Sequence, residues 1–151
     1  MVKKIRITTG GKYRYQLDKI GQKLEVVGRF RLRGEEKLNL SIEIVHVVEN
    51  TAAQVSLKAT VDDKAQALIG GRVIVEQTAK NTESFLEERI LLLSTQAKAE
   101  AVPDLEIQNN EVKCSHAATV GAIDEEQLFY LASRGIPEAE AKQTIAEGFL
   151  L

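Results

Sequence analysis

Reactive side chains are scarce in this sequence of 151 residues: it contains one cysteine, Cys114, and two histidines, His46 and His116. Cys114 and His116 stand two positions apart in the stretch from Asn109 to Ile136, NNEVKCSHAATVGAIDEEQLFYLASRGI. Val112, Cys114 and His116 alternate with Lys113 and Ser115, the period of a β-strand, so the thiol and the imidazole share one face. Residues spaced this way lie about 6.5–7 Å apart at Cα, which lets their side chains meet. A thiolate–imidazole dyad for hydrolysis also needs an oxyanion hole and a third orienting group, and no motif supplies them. A closed zinc site takes about four ligands. Glu111 or His46 would have to converge on the pair, and no spacing brings them there. Two readings remain open for Cys114: as a thiolate it ligates iron or accepts sulfur, or it is a small hydrophobe. His116, with no further signal, reads as a hydrogen-bonded structural residue. Lys113 points to the opposite face and cannot activate the thiol.

The elements that position the pair follow from the surrounding residues. Asn109-Asn110 is a turn signal, and Gly121 ends the strand. Asp124 then reads as a helix N-cap with Gln127 three residues on. Leu128, Leu131 and Ala132 have helical spacing, and Gly135 stops the helix. Pro137 suits a first helical turn, and Ala141, Ile145 and Ala146 continue a second helix over 137–147. Phe149, Leu150 and Leu151 form an apolar run that calls for docking against the body or a partner.

Upstream, short period-two runs alternate with turns. Leu24, Val26, Phe30 and Leu32 share one face, with Glu25, Arg29, Arg31 and Arg33 on the other. Leu38, Leu40, Ile42 and Ile44 repeat the pattern, as do Val55, Leu57, Ala59 and Val61. Gly34-Glu35-Glu36, Asp62-Asp63 and Gly70-Gly71 read as turns, Gly70-Gly71 lacking any phosphate-loop pattern. Ile90 to Leu93 is an uninterrupted apolar run, as in a strand covered on both faces. Pro103 precedes a short strand, Leu105 to Ile107. The periodicity places an all-β body over about 24–120. Without a strict internal repeat it does not separate a sandwich, a barrel and a solenoid.

Composition narrows the classes. A 44% hydrophobic content suits one globular domain whose core, with aromatics at 5%, is aliphatic. One cysteine excludes an internal disulfide and suits a reducing cytoplasm. No apolar run nears the roughly 20 residues that span a bilayer, and the basic first residues lack the apolar stretch of a signal peptide. Residues 1–37 hold 11 Lys and Arg against 4 Asp and Glu, while the whole chain carries -2. The arginines there alternate with apolar residues, which reads as a solvated strand face rather than a nucleic-acid surface.

The segment VKCSHAATVGAIDEEQLFYLASRGI resembles the conserved block of the SufB/SufD family of iron–sulfur cluster assembly scaffolds. GRVIVEQTAKNTESFLEERILLLS resembles that family's solenoid core, and VPDLEIQNNEVKCSH the link from the core to the histidine. The resemblance covers most of the chain, more weakly before residue 40. It implies a mainly β fold: a right-handed parallel β-helix over 1–123 with two C-terminal helices over 124–151. It implies a non-enzymatic scaffold subunit of the SufD type, in which the histidine of the KCSH motif takes part in cluster assembly at the SufB–SufD interface. His116, with Cys114 on the same face, is then the expected ligand to a transient iron–sulfur cluster shared across an interface. The SufB-type sulfur-accepting cysteine precedes the proline matched by Pro103, and the equivalent position here is Ala97. The implied partners are a SufB-type subunit or a second copy of the chain. Larger relatives continue into a helical domain that contacts a SufC-type ATPase, and here that contact region is incomplete. The alternative is an interaction module that keeps the β-helix without the chemistry.

Overall fold

Nine strands and two helices follow one another along residues 1–151, which the computed structural model describes in full. The odd-numbered strands β1 (Val2–Ile7), β3 (Lys23–Leu32), β5 (Ala52–Val61), β7 (Thr82–Leu92) and β9 (Val112–Ala122) form one sheet in that order. The even-numbered strands β2 (Gly11–Leu17), β4 (Lys37–His46), β6 (Gln66–Val75) and β8 (Lys98–Ile107) form the other. Every pairing is parallel. The chain therefore winds as a β-helix, one strand per sheet per turn, for about four turns. Lys23 lies beside Ala52, Ala52 beside Glu83 and Thr82 beside Val112, so each turn takes about 30 residues.

The period-two pattern is what makes the winding possible. The inward phases of both sheets, among them Leu24, Val26, Leu40, Ile42, Ile44, Leu57, Ile69, Val73, Leu86 and Ile90, meet in one continuous core. At the corners the backbone turns through left-handed conformations at Gly21 (φ 78°), Asn50 (60°) and Asn81 (52°), and at Gly34 (60°) and Asp63 (52°). These residues tolerate that region, and they stack from one turn to the next. The Asn81 amide donates to Asn50 Oδ1 at 2.7 Å, and the Gly34 N–H to Asp63 Oδ2 at 2.8 Å.

Several expectations are corrected. The β body begins at Val2, not near Leu24, because β1 and β2 form the first turn, anchored by buried Ile7 and Leu17. Gly70-Gly71 is not a turn but the middle of β6. Position 71 faces inward, where a β-carbon would overlap Glu88 Oε1 and lie 2.7 Å from a Leu86 methyl, so any other residue would push these side chains aside. Pro103 lies within β8 rather than ahead of a strand. Nothing pairs with the outer edge of β8, so the missing N–H breaks no ladder there. Gly121 does not end β9, which runs on to Ala122. In the 90–93 run Ile90 and Leu93 are buried, while Leu91 and Leu92 are only half covered.

Both helices form. α1 (Glu125–Ser133) is capped by Asp124, whose Oδ1 accepts from the Glu126 N–H at 2.9 Å, and Gly135 follows it at φ 81°. α2 (Glu138–Leu150) is N-capped by Pro137 and extends three residues past 147. Its Ala141, Ala146 and Leu150 are buried. Arg29 Nε donates to the Leu150 carbonyl at 2.8 Å and Lys58 Nζ to the Leu151 carbonyl at 2.8 Å. Phe149 lies beneath the Arg89 and Lys58 cations, 5.2 and 6.0 Å from its ring centre. Part of the basic outer face is thus occupied by the C-terminal end of α2, where cations favour the helix dipole. No helix is long and apolar enough to cross a membrane.

Candidate functional site

β9 is the last strand of its sheet, paired with β7 on one side only. Its residues alternate as their sequence requires: Val112, Cys114, His116 and Ala118 are half-buried, Lys113 and Ser115 exposed. The thiol and the imidazole therefore share the inner face of the terminal turn, and Lys113 points away. In register, Cys114 lies beside Ser84, His116 beside Leu86 and Ala118 beside Glu88.

Glu88 is the residue that sequence reasoning missed. It is fully buried, and its Oε2 lies 3.6 Å from His116 Nε2, the His116 side chain being 2% exposed. Neither carboxylate oxygen and neither ring nitrogen has a hydrogen-bond partner. Gly71, on the facing sheet, leaves the space that the carboxylate fills. A signal for Glu88 does exist: in Ser84, Leu86, Glu88 and Ile90 the acid falls on the inward phase of its strand, where every neighbour is apolar or small. Burying an unpaired charge is costly, so such a residue calls for a partner.

Cys114 is a free thiol whose pKa is raised by burial, a backbone hydrogen bond from Ser84 acting in the opposite sense. It is held as a thiol rather than the nucleophilic thiolate. Ser84 also links this row to the second histidine. His46, fully buried at the end of β4, bonds through Nδ1 to Thr51 Oγ1 at 2.8 Å and through Nε2 to Ser84 Oγ at 3.0 Å. Burial without a charged partner lowers the His46 pKa to about 4, so the ring is neutral. Both His46 nitrogens are engaged, which marks it as a core hydrogen-bonding residue and not a fourth zinc ligand. No three His, Cys, Asp or Glu side chains come close enough to hold a metal within the chain. Glu111 is exposed on the turn before β9. Ala97 is buried ahead of β8 and offers no sulfur. The terminal strand thus offers one imidazole and one thiol on its inner face, donor types that suit iron but are too few for a complete coordination sphere, with the Glu88 carboxylate beside the imidazole on β7.

Residues 6–149 match the family model described as SUF system FeS cluster assembly, SufBD core domain. Among curated proteins the chain is similar to the iron–sulfur cluster assembly protein SufD of Bacillus subtilis, 36% identical over 128 residues, 85% of this chain and 28% of that protein. It is similar to SufD of Escherichia coli, 45% identical over 92 residues, 61% of this chain and 22% of that protein. It also matches an iron–sulfur cluster assembly SufBD family protein of Mycobacterium tuberculosis, 46% identical over 80 residues, 52% of this chain and 20% of that protein. The chain spans less than a third of the length of these relatives.

Proposed function

The chain belongs to the SufBD family of iron–sulfur cluster assembly proteins, and on that premise we propose that it is a SufD-like scaffold subunit, a binding protein rather than an enzyme. Iron and sulfide are its cargo, and His116 and Cys114 are its ligands. The observation that carries this reading is the placement of an imidazole and a thiol on the inner face of β9, a terminal strand with an unpaired outer edge, with the buried Glu88 carboxylate beside the imidazole on β7. Elsewhere in the core every buried polar side chain finds a hydrogen-bond partner. Only Glu88 and His116 do not. A four-coordinate iron needs more donors than these, so the site is completed across an interface. The free edges of β8 and β9 offer parallel-strand ladders to a SufB-type subunit or to a second copy of this chain. The helical segment 124–151, whose α1 exposes Phe129 and Tyr130, is the side that a SufC-type ATPase would engage. The setting is the cytoplasm, where Cys114 stays reduced.

The test is anaerobic reconstitution with ferrous iron and sulfide, with iron and sulfide counted per chain in the wild type, His116→Ala and Cys114→Ala. The two variants should lose cargo while staying folded. Because His116 is buried, its removal also lowers the melting temperature, so iron content and not stability decides. Loading at the wild-type level in both variants would refute the scaffold reading. It would favour the second one, a β-helical interaction module, to which the protonated state of Cys114 lends support.

A further inference from the structure

We infer that Glu88 is the positioning residue of His116: its carboxylate is placed to accept a hydrogen bond from Nε2–H and thereby leaves the Nδ1 lone pair for the metal. This rests on the ligand role of His116 proposed above. Glu88 and His116 sit on neighbouring strands, one two-residue step apart in register, and both side chains point into the solenoid. The Oε2–Nε2 separation of 3.6 Å is just beyond a hydrogen bond, and a small rotation of either side chain closes it. No other donor reaches either carboxylate oxygen, and no other acceptor reaches either ring nitrogen. A buried carboxylate without a donor is expensive, so its position beside the imidazole fixes which nitrogen carries the proton. The facing sheet reinforces the arrangement. Position 71 lacks a β-carbon at the one point where it would overlap Glu88 Oε1. The apolar neighbours Leu57 and Leu86 offer the carboxylate no alternative partner. A carboxylate behind a ligating histidine holds the ring and raises its basicity, and losing such a partner typically weakens metal binding by roughly 10–100-fold.

Long-range proton–nitrogen NMR on the metal-free, nitrogen-15-labelled chain reads the tautomer directly. Only two histidines contribute, and His116→Ala assigns them. The wild type should show His116 protonated at Nε2. Glu88→Met and Gly71→Ala, the second of which displaces the carboxylate without removing it, should mix or reverse the tautomers. Both should weaken iron loading in anaerobic reconstitution by roughly 10–100-fold. Glu88→Gln, whose amide oxygen still accepts from Nε2, should keep the tautomer and most of the loading. If Glu88→Met leaves the tautomer unchanged, or if loading falls while the tautomer stays fixed, the positioning role is overturned. If His116→Ala loads iron normally, the ligand role fails instead, and the tautomer spectra still decide whether Glu88 sets the ring.

Discussion

Acidification should destabilise this fold through a single buried ring, and the size of the effect can be worked out. His46 lies fully buried between Thr51 and Ser84, both ring nitrogens bonded, with burial holding its pKa at about 4. In the unfolded chain the same ring titrates near 6.5. A folded pKa depressed below the unfolded one means that the unfolded state takes up the proton first. The contribution of His46 is therefore intact above about pH 6.5 and is lost as the pH falls towards 4. Linkage makes the loss about 2 kcal/mol at pH 5, approaching about 3 kcal/mol below pH 4. Against a typical domain stability of about 5–15 kcal/mol that is a large fraction. Urea unfolding at intervals between pH 7.5 and 5, a range mostly above carboxylate titration, would measure it. His46→Gln supplies the control, since an amide retains hydrogen-bonding capacity but does not titrate. The wild type should lose stability over this window and the variant should stay nearly flat. Parallel losses in the two proteins would show that His46 is not the sensor and that its ring is not held neutral by burial.

Two further outcomes concern the frame around the site. Arg29→Met removes the donor to the Leu150 carbonyl and a 2.8 Å bond to the Ser56 carbonyl, and should release α2 from the sheet at a cost of about 1–3 kcal/mol. Faster hydrogen exchange across 141–150, with the strands still protected, is the expected readout. Asn81→Ala should lower stability by roughly 1 kcal/mol, because alanine is strained at φ 52° and breaks the bond to Asn50, whereas Asn81→Gly should cost less. Thermal unfolding of the two variants side by side distinguishes backbone strain from loss of the ladder.

The strands β3 to β7 are legible in the sequence because their inward residues are apolar and their outward ones polar. The winding is not, since neighbouring turns differ in length and no residue recurs at a fixed interval. The trace of the repeat lies in the corners: Gly21, Asn50 and Asn81 recur about one turn apart, as do Gly34 and Asp63, and all five take left-handed angles. Residue types that look like unrelated turns are one corner met repeatedly. β1 and β2 escape the pattern because only Ile7 and Leu17 are fully buried there, Tyr13 and Tyr15 being half-covered. Gly70-Gly71 misleads because a glycine pair signals a turn, while here the absent side chain at 71 is dictated by Glu88 on the opposite sheet, a long-range demand with no local mark. The pairing of Cys114 and His116 on one face follows from period alone. Their meeting with Glu88 does not, because it depends on the register between β7 and β9.

That register also explains why these polar groups gather at the end of the solenoid. In the middle of a β-helix each inward side chain is enclosed by the turns above and below, so a polar residue there must find its partners within the chain. His46 does so, through Thr51 and Ser84. The terminal turn has a neighbour on one side only. Cys114 and His116 stand on that turn, on the strand with the free edge, while Glu88, one strand further in, lies behind them. An inward imidazole without a partner is a liability anywhere else in this fold. At the last turn it can be satisfied from outside the chain, by cargo or by donors from another subunit. On the reading proposed above, an incomplete coordination sphere on this side would serve release, since a full set of ligands within one chain would oppose it.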